Sequence, residues 1–123
     1  MATALSPTPL DLESFFEVSA ERPNRKVLVQ QPGLKVLHLT LAPGQELPSH
    51  RHPSSYVLVQ GLKGITSVQV EQQETTLSPQ QLLSFSGESL VSLRNNSGAP
   101  SALLIILVNQ VNERKADEDP AHT

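Results

Sequence analysis

Two histidines separated by one residue, His50 and His52, are the side chains of this sequence best suited to chemistry. Side chains alternate along a β-strand, so both imidazoles point to the same face if residues 47 to 52 are extended. Imidazole nitrogens are common ligands of transition metals, and two on one face can chelate a single ion. The pair therefore predicts either a weak metal site or the polar part of a binding pocket.

Other common catalytic arrangements are absent from the sequence. The chain contains no cysteine, which excludes disulfides, thiolate metal ligands and cysteine nucleophiles. No serine lies in a Gly-x-Ser-x-Gly elbow, and there is no glycine-rich phosphate-binding loop. The histidine pair is therefore the main candidate for a functional centre.

The charge distribution bears on partners and location. The net charge is −3, and most of it lies between positions 113 and 119, so the rest of the chain is nearly neutral. The absence of a basic cluster argues against a nucleic-acid surface.

The longest apolar run, residues 103 to 108, is far shorter than the roughly 20 residues of a membrane helix, and no signal peptide is recognisable. These observations predict a cytoplasmic protein without nucleic-acid or membrane contacts.

Three regions follow one another along the chain. Residues 1–24 are predicted to form an arm and a short helix over 12–20. Asp11 would cap this helix, and Leu12, Phe15 and Phe16 would lie on one of its faces. A helix of this length needs packing partners, so it should lie against the main domain. Residues 25–110 form that domain, and the polar residues 111–123 predict a disordered tail.

The main domain has the pattern of an all-β fold. Short segments with period-two alternation are separated by turns rich in Gly, Pro, Asn and Ser, and no segment between them is long enough for a helix. The polar run from 94 to 98 is interpreted as one such turn rather than as a ligand loop. The predicted strands are residues 26–30, 35–41, 56–60, 65–70, 75–77, 82–85, 90–94 and 102–108.

The segment around the histidines has a recognisable spacing. Gly44, His50, His52 and Gly64 match a pattern of Gly, five residues, His-x-His, three or four residues, Glu, six residues and Gly. This pattern resembles the first motif of the cupin superfamily. The glutamate position of that motif is Val57 in this chain.

The second cupin motif overlays residues 80 to 95 without a gap. It consists of Gly, five residues, Pro-x-Gly, two residues, His, three residues and Asn, and Asn95 alone matches. The resemblance extends from about residue 26 to 108 and implies a cupin-type double-stranded β-helix, or jelly-roll barrel, with a short N-terminal helix. The other motif positions are occupied by Gln80, Ser86, Glu88 and Val91.

The resemblance also implies a metal site, of which half is missing. Cupins hold a divalent transition metal such as Zn, Fe, Mn or Ni with three histidines and one glutamate. Here His50 and His52 remain, whereas Val57 and Val91 have no lone pair to donate. Because catalytic zinc sites have three protein ligands, we expect no cofactor or a weakly bound metal.

Nearby polar residues leave a rebuilt site open. Glu46 and His38 are alternative donors, and Gln60 lies on the following strand. Glu46 is expected to face solvent. His38 alternates with two leucines, so it is expected to point away from the core.

The function that these observations favour is a non-catalytic or weakly active barrel that binds a small molecule, or that acts as a sensing or interaction module. Its predicted pocket contains His50, His52, Tyr56, Val57, Gln60 and Val91. The alternative is a metal-dependent enzyme of dioxygenase or isomerase type with a rearranged site, so whether the protein is an enzyme stays open.

A homodimer is also predicted, because open sheet edges are usually covered. The candidate segments for the contact between the two chains are residues 26–30 and 102–108.

Overall fold

The computed structural model describes residues 7–110, which form two antiparallel sheets that face each other. The five-stranded sheet has the order β1-β2-β9-β4-β7, and the four-stranded sheet has the order β3-β8-β5-β6. The strands are β1 (Asn24–Gln31), β2 (Leu34–Leu41), β3 (Glu46–His50), β4 (Ser55–Lys63), β5 (Thr66–Val70), β6 (Gln73–Leu77), β7 (Leu82–Ser86), β8 (Val91–Arg94) and β9 (Ser101–Asn109).

Aliphatic side chains from both sheets fill the space between them. Along β4 the alternation is regular, with Val57 and Val59 buried and Tyr56 exposed. Burying a valine or leucine contributes about 1.5–3 kcal/mol, which is why period-two Leu and Val specify this arrangement. The core cluster consists of Leu37, Leu39, Leu41, Val57, Val59, Val68, Leu77, Val91, Leu93, Leu103 and Ile105.

The structure confirms the all-β prediction, and each predicted strand lies within or overlaps an observed one. The segment 46–50 is also a strand, which meets only in part the requirement that residues 47 to 52 be extended, because His52 lies beyond its end. None of the helices within residues 7–110 is long and apolar enough to cross a membrane. The predicted disordered tail, and the first part of the predicted arm, lie outside the described residues.

The predicted helix over 12–20 is wrong in its length. Asp11 caps a single 3₁₀ turn, Leu12–Phe15, by accepting a hydrogen bond from the Glu13 N–H. Phe16 is already extended, and the Glu17 N–H donates to Thr40 Oγ1 at 3.4 Å. A short helix is marginal by itself, so these contacts with the barrel draw the backbone out of the helical path.

The N-terminal segment covers one end of the outer face of the five-stranded sheet, the face turned away from the other sheet. The Phe15 ring lies 6.0 Å from the ring of His38 on β2. Lys63 contacts the Phe16 ring at 4.3 Å and pairs with Glu13 at 2.8 Å. As predicted, His38 points away from the core, yet it is 1% exposed because this segment covers it.

Asn95 secures the turn between β8 and β9. Its amide nitrogen donates to the carbonyl oxygens of Leu41 at 3.0 Å and Ala99 at 2.8 Å. Its Oδ1 accepts from the backbone N–H and the hydroxyl of Ser97. The polar run 94–98 therefore acts as a structural turn, in agreement with its sequence interpretation.

Candidate functional site at the mouth of the barrel

His50 and His52 line one narrow cavity between the two sheets. The cavity has a volume of about 40 Å³, room for about one water-sized group. Its polar lining consists of Arg25, His50 and His52, and its apolar walls include Leu37, Leu47, Val57, Phe85 and Val91.

An irregularity in β3 directs His50 into the cavity. Leu47 pairs with Leu93 and His50 pairs with Val91, so three steps along β3 match two steps along β8. Such a bulge lets both Leu47 and His50 face inward, which strict alternation would forbid. His50 Nδ1 lies 2.9 Å from the Pro48 carbonyl oxygen, which can only accept, so Nδ1 carries the proton of this bond.

His52 lies just beyond the end of β3 and is held through its backbone. Its N–H donates to the Gly87 carbonyl at 2.8 Å, and the Gly87 N–H donates to the Ser55 carbonyl at 2.7 Å. A Cβ at position 87 would collide with the carbonyl oxygens of His52 and Ser55, so this close approach requires glycine. The two imidazole rings meet edge to face, with centroids 4.6 Å apart.

The electrostatic environment of the pair is positive. Burial lowers the pKa of His52 below its usual value, and the charges of His50, Arg25 and Lys35 lower this pKa further. Arg25 comes from β1, an edge strand of the five-stranded sheet. Sequence reasoning missed Arg25 because no motif includes it, and only the pairing of β1 with β2 brings it to the mouth of the barrel.

The other predicted pocket residues divide into two groups. Val57 and Val91 are buried and line the cavity with the histidines. The structure does not bring Tyr56 or Gln60 there: Tyr56 is 41% exposed and, like Gln60, belongs to the opposite face of β4. The Tyr56 hydroxyl lies 3.5 Å from Ser84 Oγ on that face.

The residues present do not fit the metal site that the fold implies. Glu46 forms an ion pair with Arg94 at 2.7 Å and does not line the cavity, and His38 lies on the outer face. Within the described range, no three His, Cys, Asp or Glu side chains are grouped as a metal site would require. The Arg25 guanidinium also repels a divalent cation near the histidines.

Comparisons with known proteins define the fold. No protein-family model and no curated protein sequence matches the chain. Solved structures do match: a Thermus thermophilus protein is 24% identical with a TM-score of 0.78, covering 82% of this chain and 96% of its own. An uncharacterized Klebsiella pneumoniae protein with a double-stranded β-helix domain is 17% identical, with a TM-score of 0.77 and coverage of 85% and 92%.

A third similar structure is the Cupin_2 domain of an XRE family transcriptional regulator from Enterobacter cloacae. It is 22% identical with a TM-score of 0.69, covering 72% of this chain and 97% of that domain. At these identities the likeness concerns the fold. The chain is thus a small domain with the cupin fold, the double-stranded β-helix, as its two motifs predicted.

Proposed function

We propose that this protein is a non-catalytic cupin barrel that binds a small molecule at the mouth formed by His50 and His52. The observation that carries the proposal is the composition of the cavity, in which Val57 and Val91 lie beside the histidine pair. Two aliphatic side chains at these positions leave the imidazoles as polar anchors at an apolar opening. Pockets of that composition bind ligands by apolar contact and use a few polar groups for orientation.

The cavity volume limits how such a ligand binds. A space of about 40 Å³ admits a group about the size of a methyl group, not a whole metabolite. Most of the ligand therefore lies outside the barrel, against the rings of His50 and His52. A fold similar to the Cupin_2 domain of a transcriptional regulator supports a sensing role, because a ligand held at the surface is accessible to a partner.

A small-molecule screen followed by NMR tests this proposal. Compounds that shift the amide signals of His50, His52 and Leu47 should bind His50→Ala and His52→Ala at least tenfold more weakly. Gln69→Ala, on the opposite side of the four-stranded sheet, serves as the matched control and should bind as the parent protein does. If no compound perturbs these signals, or if the histidine variants bind unchanged, the proposal is wrong.

The metal-dependent enzyme remains the alternative function, supported by the His-x-His spacing alone. Metal analysis of protein purified without an affinity tag separates the two functions. The binding barrel predicts clearly substoichiometric metal after dialysis. A full equivalent of metal that is lost in His50→Ala and His52→Ala would instead establish the enzyme-type site. The cytoplasmic location stays a prediction.

We also propose that two copies of the chain pair through the end of the outer face of the five-stranded sheet that residues 7–110 leave uncovered. Central strand β9 contributes to that face with Leu104, Ile106 and Val108, while Leu103 and Ile105 face the core. Val36 and Leu58, the cross-strand partners of Ile106, lie next to them and outside the core cluster. Because β9 is bonded on both edges, it cannot pair edge to edge, and only its outer side chains are available.

A second copy is the occupant that the chemistry favours. Residues 111–123 are mostly charged or polar, a composition that does not favour burial against an apolar face. The N-terminal segment already lies on the other end of the face, over His38 and Thr40. Flat, uncharged sheet faces are self-complementary about a two-fold axis, which makes the same face on a second chain a suitable partner.

Sedimentation equilibrium of the full chain tests this pairing. The parent protein should have the mass of two chains at micromolar concentration, and Leu58→Lys should have the mass of one with its fold retained by circular dichroism. Gln69→Lys adds the same charge to the other sheet and should remain dimeric. A single-chain mass for the parent protein, or a dimeric Leu58→Lys variant, would overturn the proposal.

A further inference from the structure

Arg25 is a cation at the mouth of the barrel that has no ion-pair partner among residues 7–110. Its side chain lines the cavity beside both histidines. The ion pairs found within residues 7–110 join Lys26 to Glu17, Lys63 to Glu13 and Arg94 to Glu46, and none includes Arg25. A guanidinium presents a planar fork of donors, so one without a partner among the described residues has hydrogen-bonding capacity to offer a ligand at this opening.

The surrounding charges have the same sign. Lys35 is near enough for its charge to act on His52, as does the charge of Arg25. Within the part of the chain that the structure describes, no Asp or Glu side chain lines this cavity. A neutral ligand would leave this positive field without compensation, whereas an anion would neutralise it.

His50 is a poor anchor for an anion. Its Nδ1 proton is directed to the Pro48 carbonyl oxygen at 2.9 Å. Only the second ring nitrogen of His50 is then left for a ligand. Arg25, whose guanidinium is always charged and has five donors, is therefore the main anion-binding group at this mouth, and the imidazoles remain the polar anchors beside it.

Taken with the proposed function, on which this inference rests, the geometry points to a short-chain organic carboxylate as the ligand class. Its carboxylate would be held by Arg25 in the paired hydrogen bonds that guanidinium and carboxylate groups form. Its alkyl end would enter the cavity between Val57 and Val91, whose volume of about 40 Å³ selects short chains. The same cation that opposes a metal ion thus favours an anionic ligand.

NMR titration of the full chain with acetate, propionate and butyrate, each compared with its neutral amide, tests the inference. The carboxylates should bind at least tenfold more tightly than the amides, and Arg25→Gln should weaken carboxylate binding by roughly tenfold, the value of one charged hydrogen bond. Arg22→Gln removes the same charge from an exposed residue that does not line the cavity and should bind as the parent does. Val57→Ala should shift the preference toward butyrate.

The outcomes separate this inference from the proposed function. Amides that bind as tightly as carboxylates at the His50 and His52 signals, or unchanged carboxylate binding by Arg25→Gln, would overturn the carboxylate assignment alone. If neither series perturbs those signals, the carboxylate assignment is wrong. A failed screen of chemically diverse compounds at the same signals would then remove the binding function as well.

Discussion

His50 on β3 and Val91 on β8 are direct cross-strand partners. His50 therefore lies beside the position at which the second cupin motif has its histidine. Side chains opposite each other on antiparallel strands have Cβ atoms about 5 Å apart. Val57 lines the same cavity from the facing sheet. The two positions at which the cupin motifs have a glutamate and a histidine thus lie beside the His50/His52 pair, and both are valines in this chain.

The double variant Val57→Glu, Val91→His should regain metal binding. Two added donors complete three histidines and one carboxylate, and the carboxylate offsets both the charge of the ion and the repulsion from Arg25. We expect about one zinc ion per chain after dialysis and a melting temperature that rises when zinc is added. Each single variant is the matched control and should retain less metal than the double variant. A double variant that retains no metal would show that the cavity cannot close around an ion.

Replacing Gln80 with glycine should stabilise the protein. Gln80 occupies the first glycine position of the second motif and keeps a left-handed backbone, with φ of 71°. This conformation costs a non-glycine residue about 1 kcal/mol or more, so Gln80→Gly should raise the free energy of unfolding by about 1 kcal/mol. Gln80→Ala removes the side chain without relieving the backbone and should not stabilise. Urea denaturation measures the free energy of unfolding of both variants, and equal values for Gln80→Gly and Gln80→Ala would contradict the expectation.

Asn95 should be essential for stability although it does not line the cavity. Truncation to alanine removes the donor to Leu41 and Ala99 and the acceptor for Ser97, in a fully buried position. Leaving such groups unsatisfied costs about 3 kcal/mol. Asn96→Ala, at the exposed neighbouring residue, should cost less than about 0.5 kcal/mol. Similar losses for both variants in chemical denaturation would contradict the structural role of Asn95.

His38 should make stability fall in acid. Burial lowers the pKa of His38, the Lys26 charge lowers it further, and Glu13 opposes this effect. The unfolded chain then binds the proton at higher pH than the folded protein, so stability is lost as the pH falls below about 6.5, the usual histidine value. Its Nδ1 is buried without a hydrogen-bond partner in the described part of the chain.

His38→Leu should therefore show a smaller decrease in the free energy of unfolding between pH 8 and pH 5. Gln69→Leu, a neutral exchange on the other sheet, should retain the slope of the parent protein. A residual slope is expected in His38→Leu, because the pKa of His52 is lowered too. Identical slopes for the parent protein and His38→Leu would contradict this assignment.

The sequence by itself determined the fold and half of the candidate site. Period-two alternation is a local property, so Val57 and Val59 could be assigned to one side of their strand and Tyr56 to the other. Motif spacing located His50 and His52 and showed that valines occupy two ligand positions. The predicted pocket nevertheless combined Val57 with Tyr56 and Gln60, which alternate with it along β4 and do not line the cavity.

Tertiary structure decided the remaining features, because each depends on strands that are distant in sequence. Pairing of β1 with β2 at the sheet edge brings Arg25 to the histidines, and no local pattern encodes that meeting. The bulge in β3 arises from its pairing with β8, in which three steps along β3 match two steps along β8. Contacts with His38 and Thr40 confine the N-terminal helix to one turn. Local periodicity specified a barrel with a histidine pair, and long-range pairing set the charge, width and surroundings of its mouth.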